Sequence, residues 1–144
     1  MLENKLSTIE INGTTYPYKC DMVVLEKIQK EYGDLLRYEY GIRGLVPYFD
    51  EATGVRDAKK DKYITPDVGM TCRSIIWMIE EGIDIAGEDL TPPTEKEIKR
   101  QQDFTVNELA MMAFEEYANC FLSAMSKAKK SRKGTKKKYR KKKR

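Results

Sequence analysis

The dipeptide Asn12-Gly13, set between two short runs of alternating apolar residues, constrains this chain more than any other feature. A two-residue type I′ turn needs φ > 0 at both central positions, which asparagine and glycine tolerate better than other residues. With the turn there, Ile11 pairs with Thr14, Ile9 with Tyr16 and Ser7 with Tyr18. One face then carries Ile9, Ile11, Tyr16 and Tyr18, while Glu10, Thr15 and Lys19 lie on the other. A slip of one residue would send the whole apolar set to the wrong face, so turn and pattern together specify the register. Pro17 has no N–H to offer a further ladder, which predicts that the second strand is an edge. Asp21 then suits an N-cap for a helix through about Tyr32, with Leu25, Ile28 and Tyr32 on one face and Gly33 as the stop.

Beyond Gly33 the signals are mixed. Leu35, Leu36, Tyr38, Tyr40, Leu45, Val46, Tyr48 and Phe49 are too apolar for a solvated loop, yet Gly41, Gly44 and Pro47 interrupt helical continuity. Short helical pieces packed on the hairpin are the expectation. Residues 50–63, polar and centred on Gly54, read as a mobile surface loop. Thr65-Pro66-Asp67 places an N-cap, a first-position proline and an acid in order. The helix it predicts carries Val68, Cys72, Ile75, Ile76 and Ile79 as a stripe, leaves Trp77 off it and stops at Gly82. Glu80, Glu81, Asp84, Glu88 and Asp89 crowd that end, an unfavourable place for anions while the chain is helical.

Two capping boxes follow the Thr91-Pro92-Pro93 break: Thr94 with Glu97, before a short polar helix through Gln102, and Thr105 with Glu108, before an apolar run. The last helix is expected from Val106 to about Ala128. Leu109, Met112, Ala113, Tyr117, Cys120, Phe121 and Ala124 make one stripe along it, and Met111, Phe114, Ala118, Leu122 and Met125 make a second beside it. Only Glu115, Glu116, Asn119, Ser123 and Ser126 form a polar strip. A helix so apolar around its girdle is a central core helix or part of an interface. Self-association through the second stripe, ordinary core packing and docking of a long apolar helix on its adaptable methionines all remain open.

Charge is sharply segregated. Of the 27 Lys/Arg residues 13 fall in 127–144 with no acid, which leaves the body, 1–126, with nine more acids than bases. The reading is therefore a small α+β domain over 1–126, mainly α with an N-terminal β-hairpin, followed by a disordered basic tail over 127–144. Lys136, Lys137, Lys138, Arg140, Lys141, Lys142, Lys143 and Arg144 are candidates for contact with nucleic acid or an acidic partner, this domain's own acidic body included. Tyr139 is the one aromatic there, so a base-stacking platform is not expected.

The residue types argue against catalysis. There is no histidine, and no phosphate-cradling glycine loop, zinc spacing, nucleophile elbow or calcium loop is present. Cys20, Cys72 and Cys120 lack a Cys-x-x-Cys spacing and read as reduced, mostly buried thiols. The carboxylates at 80–89 read as solvated surface acids. No catalytic residue, cofactor or metal is expected. No apolar stretch has the length of a membrane span and no signal-peptide core is seen, so the expectation is a cytoplasmic protein with no membrane partner.

Taken in order, Ile11-Asn12-Gly13, Tyr16, Leu25-Glu26-Lys27-Ile28, Tyr32-Gly33, a later helix with a central Trp77 and a final helix opening Thr105 to Leu109 as Thr-x-x-Glu-Leu form a pattern. This order over residues 6–126 resembles the tail assembly chaperones of long-tailed bacteriophages. The resemblance implies a non-catalytic protein of the host cytoplasm that holds the tape measure protein soluble and helps recruit tail tube subunits. It also implies absence from the mature virion. Such chaperones are often made in short and frameshift-extended forms, which leaves the lysine-rich tail open to a reading with no role of its own. Two other classes compete: a small nucleic-acid-binding accessory protein using its tail, and a head–tail structural component of the virion.

Overall fold

The structure, a computed structural model, describes residues 6–120. Strands β1 (Ser7–Ile11) and β2 (Thr14–Tyr18) form an antiparallel hairpin in which Ser7 pairs with Tyr18, Ile9 with Tyr16 and Ile11 with Thr14. Asn12 (φ 51°) and Gly13 (φ 84°) supply the two positive φ values that the turn requires. Ile9, Ile11, Tyr16 and Tyr18 are buried, while Glu10, Thr15 and Lys19 are exposed. The sequence reading of this unit holds throughout. The edge at Pro17 is covered, because a later helix lies against the β2 backbone and buries the proline.

Helix α1 (Met22–Tyr32) starts at Asp21, whose carboxylate accepts from the Val23 and Val24 amides at 3.1 and 3.3 Å. It ends at Gly33, φ 81°. Its buried row is Val24, Ile28 and Tyr32, at regular four-residue steps. Leu25, expected on that face, lies one position round the helix and is half-buried.

Helix α2 (Leu35–Arg43) is capped by Asp34 and closed by Gly44, φ 65°. It packs on α1 and on the third helix, so the expectation of helical fragments on the hairpin is corrected in two respects. Gly41 does not interrupt α2. It lets a methionine approach, since a Cβ there would fall within 3 Å of both the Met70 sulfur and its methyl group. From Leu45 to Phe49 the chain is extended and not helical: β3 (Leu45–Val46) pairs with β4 (Lys62–Tyr63), Phe49 bridges Arg56, and one 3-10 turn, Ala58–Lys60, lies between. Residues 50–63, expected as a mobile surface loop, do lie at the surface and form the tip of a built excursion. Its carboxylates replace missing ladder bonds. Asp50 accepts from the Ala52 and Thr53 amides and Asp57 from that of Lys59, while Asp61 accepts from the Tyr48 amide and pairs with Arg56.

Helix α3 (Val68–Ala86) starts two residues later than predicted and runs past the predicted stop. Its N-cap is Asp67, which accepts from the Met70 amide at 2.9 Å, and not Thr65; Pro66 precedes the cap and is buried. Gly87, φ 68°, and not Gly82, closes it. Gly82 sits where β2 crosses, and the Lys19 amide donates to the Met78 carbonyl at 2.9 Å in the same place. Cys72, Ile75 and Ile79 are buried as expected and Ile76 is half-buried, whereas Val68 is exposed in the first turn. Trp77 is half-buried, 6.3 Å ring to ring from Tyr32.

Helix α4 (Glu95–Arg100) has the capping box of Thr94 and Glu97 complete. Arg73 ties three helices together, donating to the Tyr32 hydroxyl and to Glu95 at 3.1 and 3.2 Å. Helix α5, over 106–120, opens with the second box: the Thr105 amide donates to Glu108 at 2.9 Å and the Glu108 amide to the Thr105 hydroxyl at 3.1 Å. Leu109, Ala113 and Tyr117 join the core, with Met112 and Cys120 packed beside them. Glu116, predicted as polar strip, accepts from the Ser7 hydroxyl at 2.6 Å and so links α5 to the hairpin. The remainder of the expected helix, to Ala128, and the basic tail lie outside the described residues.

Candidate functional site

The second stripe of α5 meets a groove. Met111 projects from the helix with 64 % of its surface exposed, although Ala110 before it and Ala113 after it are core residues. Phe114, one turn on, is half-buried, and its ring lies 6.1 Å from that of Tyr117. The two stripe residues line a cavity of about 300 Å³ with Ile42 and Arg43 from the end of α2, Pro66 from the segment before α3, and Asn107 and Ala110. Its walls come from three separate parts of the chain.

The geometry follows from the caps. Gly44 ends α2 and turns the chain back, so that the Ile64 amide donates to the Gly44 carbonyl and the Asp67 amide to the Gly41 carbonyl, at 2.7 and 3.0 Å. These bonds lash the 64–67 segment across the end of α2 and set Pro66 beside Ile42. Arg43, in the last turn of α2, complements the negative end of that helix and spreads its guanidinium over the Phe114 ring at 5.4 Å. Among the residues that line the groove, Arg43 is the one charge. An apolar floor with one cation at its wall suits a bulky aliphatic or aromatic side chain from another polypeptide.

Of the candidates named from sequence, Met111 and Phe114 are brought together at this groove, and Ala118 is half-buried one turn further on without lining it. Leu122, Met125 and the basic residues from Lys136 to Arg144 lie outside the described residues. Sequence reasoning missed Ile42, Arg43 and Pro66. The available signal was the cation beside the Gly44 stop, which by itself says only that a helix ends there.

A second, larger hollow of about 460 Å³ is lined by Glu80, Ile83, Asp84, Gly87, Glu88 and Pro92. Because α3 continues to Ala86, Glu80, Glu81 and Asp84 sit in its last two turns with no basic residue in the last turn. Lys27 of α1 offsets part of this, reaching Glu80 at 3.4 Å. Glu81 shares a hydrogen bond with the Asp21 carboxyl. That bond, burial and the Asp21 charge hold its pKa up at about 7, against an ordinary 4.5. Among the described residues no group of three or more His, Cys, Asp or Glu is placed to hold a metal ion. The described lining of this hollow carries three acids beside Ile83, Gly87 and Pro92, where that of the smaller groove carries one cation.

Cys20 and Cys72 are buried and Cys120 is half-buried, all as free thiols. Cys20 and Cys120 share a hydrogen bond, and burial raises the pKa of all three. They are poor nucleophiles at neutral pH. Among the described residues no helix is long and apolar enough to cross a membrane. Comparison with protein-family models, with curated proteins and with solved structures gives no match.

Proposed function

We propose that this chain is a binding protein of phage tail assembly: a chaperone that covers an apolar helical stretch of the tape measure protein and helps recruit tail tube subunits. The observation that carries the reading is Met111, a large flexible apolar side chain left exposed on a core helix at the lip of an apolar groove. Methionine adapts to irregular partner surfaces at low cost, which suits reversible cover of many similar segments along one long partner. The order of hairpin, short helix, Trp77 helix and Thr-x-x-Glu-Leu helix adds the family resemblance. The chaperone would act in the host cytoplasm and stay out of the finished particle.

Co-expression with tape measure fragments tests this. The intact chain should raise the soluble fraction of at least one fragment severalfold. Met111→Lys should remove the effect while the domain melts as before, because a surface substitution at so exposed a site changes stability by about 0.5 kcal/mol or less. Phe114 is the poorer probe, since its ring also packs on Tyr117 and under Arg43. If the intact chain solubilises no segment, the chaperone reading is wrong.

The 13 Lys/Arg residues of 127–144 favour a second reading, a nucleic-acid-binding arm. Such binding should weaken steeply with salt and vanish when 127–144 is deleted. Unretarded DNA and RNA at low salt would remove it.

A further inference from the structure

We infer that the groove between α2 and α5 selects a partner helix bearing a carboxylate one turn from the apolar side chain it inserts, with Arg43 reading that charge. The inference rests on the proposed binding role of the groove and adds the partner's chemistry.

Three observations carry it. First, Arg43 is undercommitted. Its side chain is 37 % exposed; among the described residues its ion pair is with Glu39 at 4.0 Å, beyond hydrogen-bond distance, and Asp61 feels its charge without bonding to it. The other Glu39 oxygen already accepts from the Tyr117 hydroxyl at 3.0 Å, which holds that carboxylate to α5. Second, the guanidinium carbon lies over the Phe114 ring at 5.4 Å, which sets the cation beside the apolar floor of the groove, where it can take a carboxylate in bidentate fashion. Third, the surroundings make the charge selective. The body has nine more acids than bases, yet among the described residues the lining of this groove holds one cation and no acid. An acidic partner is repelled over most of the domain and attracted here.

Helix geometry then sets the spacing. Side chains at i and i+4 of a helix lie about 6 Å apart on one face. An apolar residue seated between Met111 and Pro66 places a Glu or Asp one turn away against Arg43, at the groove's α2 wall. The basic segment 127–144 of this chain has the same sign as Arg43 and is disfavoured as the occupant.

The test uses the full chain and three fluorescein-labelled amphipathic peptides of roughly 18 residues, five helical turns. They share a leucine row and differ in carrying Glu, Gln or Lys one turn along. Fluorescence anisotropy at low salt should rank them Glu, Gln, Lys. The Glu peptide should bind about two- to fivefold tighter than the Gln peptide, as befits a partly exposed charged pair. Added salt should narrow the gap. Arg43→Glu should invert the order; should that variant fail to fold, Arg43→Gln should erase the preference. Met111→Gln, which adds no charge, should weaken all three peptides alike. Equal binding of the Glu and Lys peptides, lost with Met111→Gln, would overturn the charge selection and leave the groove as the binding site. No binding of any peptide would overturn the groove as well. A dimer in sedimentation that Met111→Lys dissociates would make a second copy of this chain the occupant, against the inference.

Discussion

Gly82→Ala separates local from tertiary reasoning by the sign of its effect. Gly82 lies in the interior of α3, where alanine is favoured over glycine by about 1 kcal/mol. The helix alone would therefore be stabilised. The structure sets β2 against that position: a Cβ would meet the Pro17 carbonyl and the Tyr18 Cα, the latter at 2.7 Å. Ordinary carbon contacts begin near 3.5 Å, so strand and helix must part by about 1 Å. Neither partner is a flexible side-chain tip. The strand is held by the hairpin register and by the Lys19 amide donating to the Met78 carbonyl at 2.9 Å, a bond that parting would stretch or break. Overpacking of this kind costs about 1–3 kcal/mol, here toward the upper end, and loss of the hydrogen bond about 1 more. Set against the helical gain, the net loss is about 3 kcal/mol, a fall of roughly 10 °C in Tm for a domain of this size. Urea unfolding followed through Trp77, the one tryptophan, measures it directly. Gly69→Ala is the control. Its Cβ would meet the guanidinium of Arg73 at 3.1 Å, a side chain and not backbone, though one held by Tyr32 and Glu95, so that change should stay within about 1 kcal/mol of the parent. A Gly82→Ala protein as stable as the parent would refute the placement of β2 on α3.

Glu81 should give the domain an inverted acid response. Its folded pKa of about 7 lies above the ordinary 4.5, so its contribution is fully present below 4.5, declines as pH rises, and is gone above about 7. The Asp21 hydrogen bond is the main cause, with burial, the Asp21 and Asp84 charges adding and Lys27 opposing. Glu81→Gln should flatten denaturation midpoints over that window and stabilise the domain at pH 8; superimposable profiles would refute the shared carboxyl bond. Gly13→Val puts a β-branched residue at φ 84° and should destabilise by about 1–3 kcal/mol in the same assay. An unaffected midpoint would place the turn elsewhere.

The groove was only half legible in the sequence. Met111 and Phe114 stood out because a second apolar stripe on α5 exceeds what one buried face needs. Ile42, Arg43 and Pro66 did not, because no periodic pattern on α2 or before α3 refers to α5. Their meeting depends on Gly44 turning the chain and on the 64–67 segment crossing back, contacts between residues far apart in sequence. The excursion of 45–63 was hidden for a related reason. Two-residue strands carry too little alternation to register, and the Asp50, Asp57 and Asp61 carboxylates that build it look from sequence like solvated charge.

Local chain chemistry is enough to specify the hairpin with its register, the Asp21 and Gly33 limits of α1, and the two Thr–Glu capping boxes. Each is decided within a few residues, by backbone conformations and cap bonds that few side chains can supply. Long-range packing, by contrast, carries α3 through Gly82 to Ala86, goes with a cap at Asp67 and not Thr65, and keeps Gly41 helical. A glycine inside a helix costs about 1 kcal/mol. Burial against a neighbour outweighs that, and at Gly82 and Gly41 the neighbour, β2 or Met70, occupies the space a side chain would have filled.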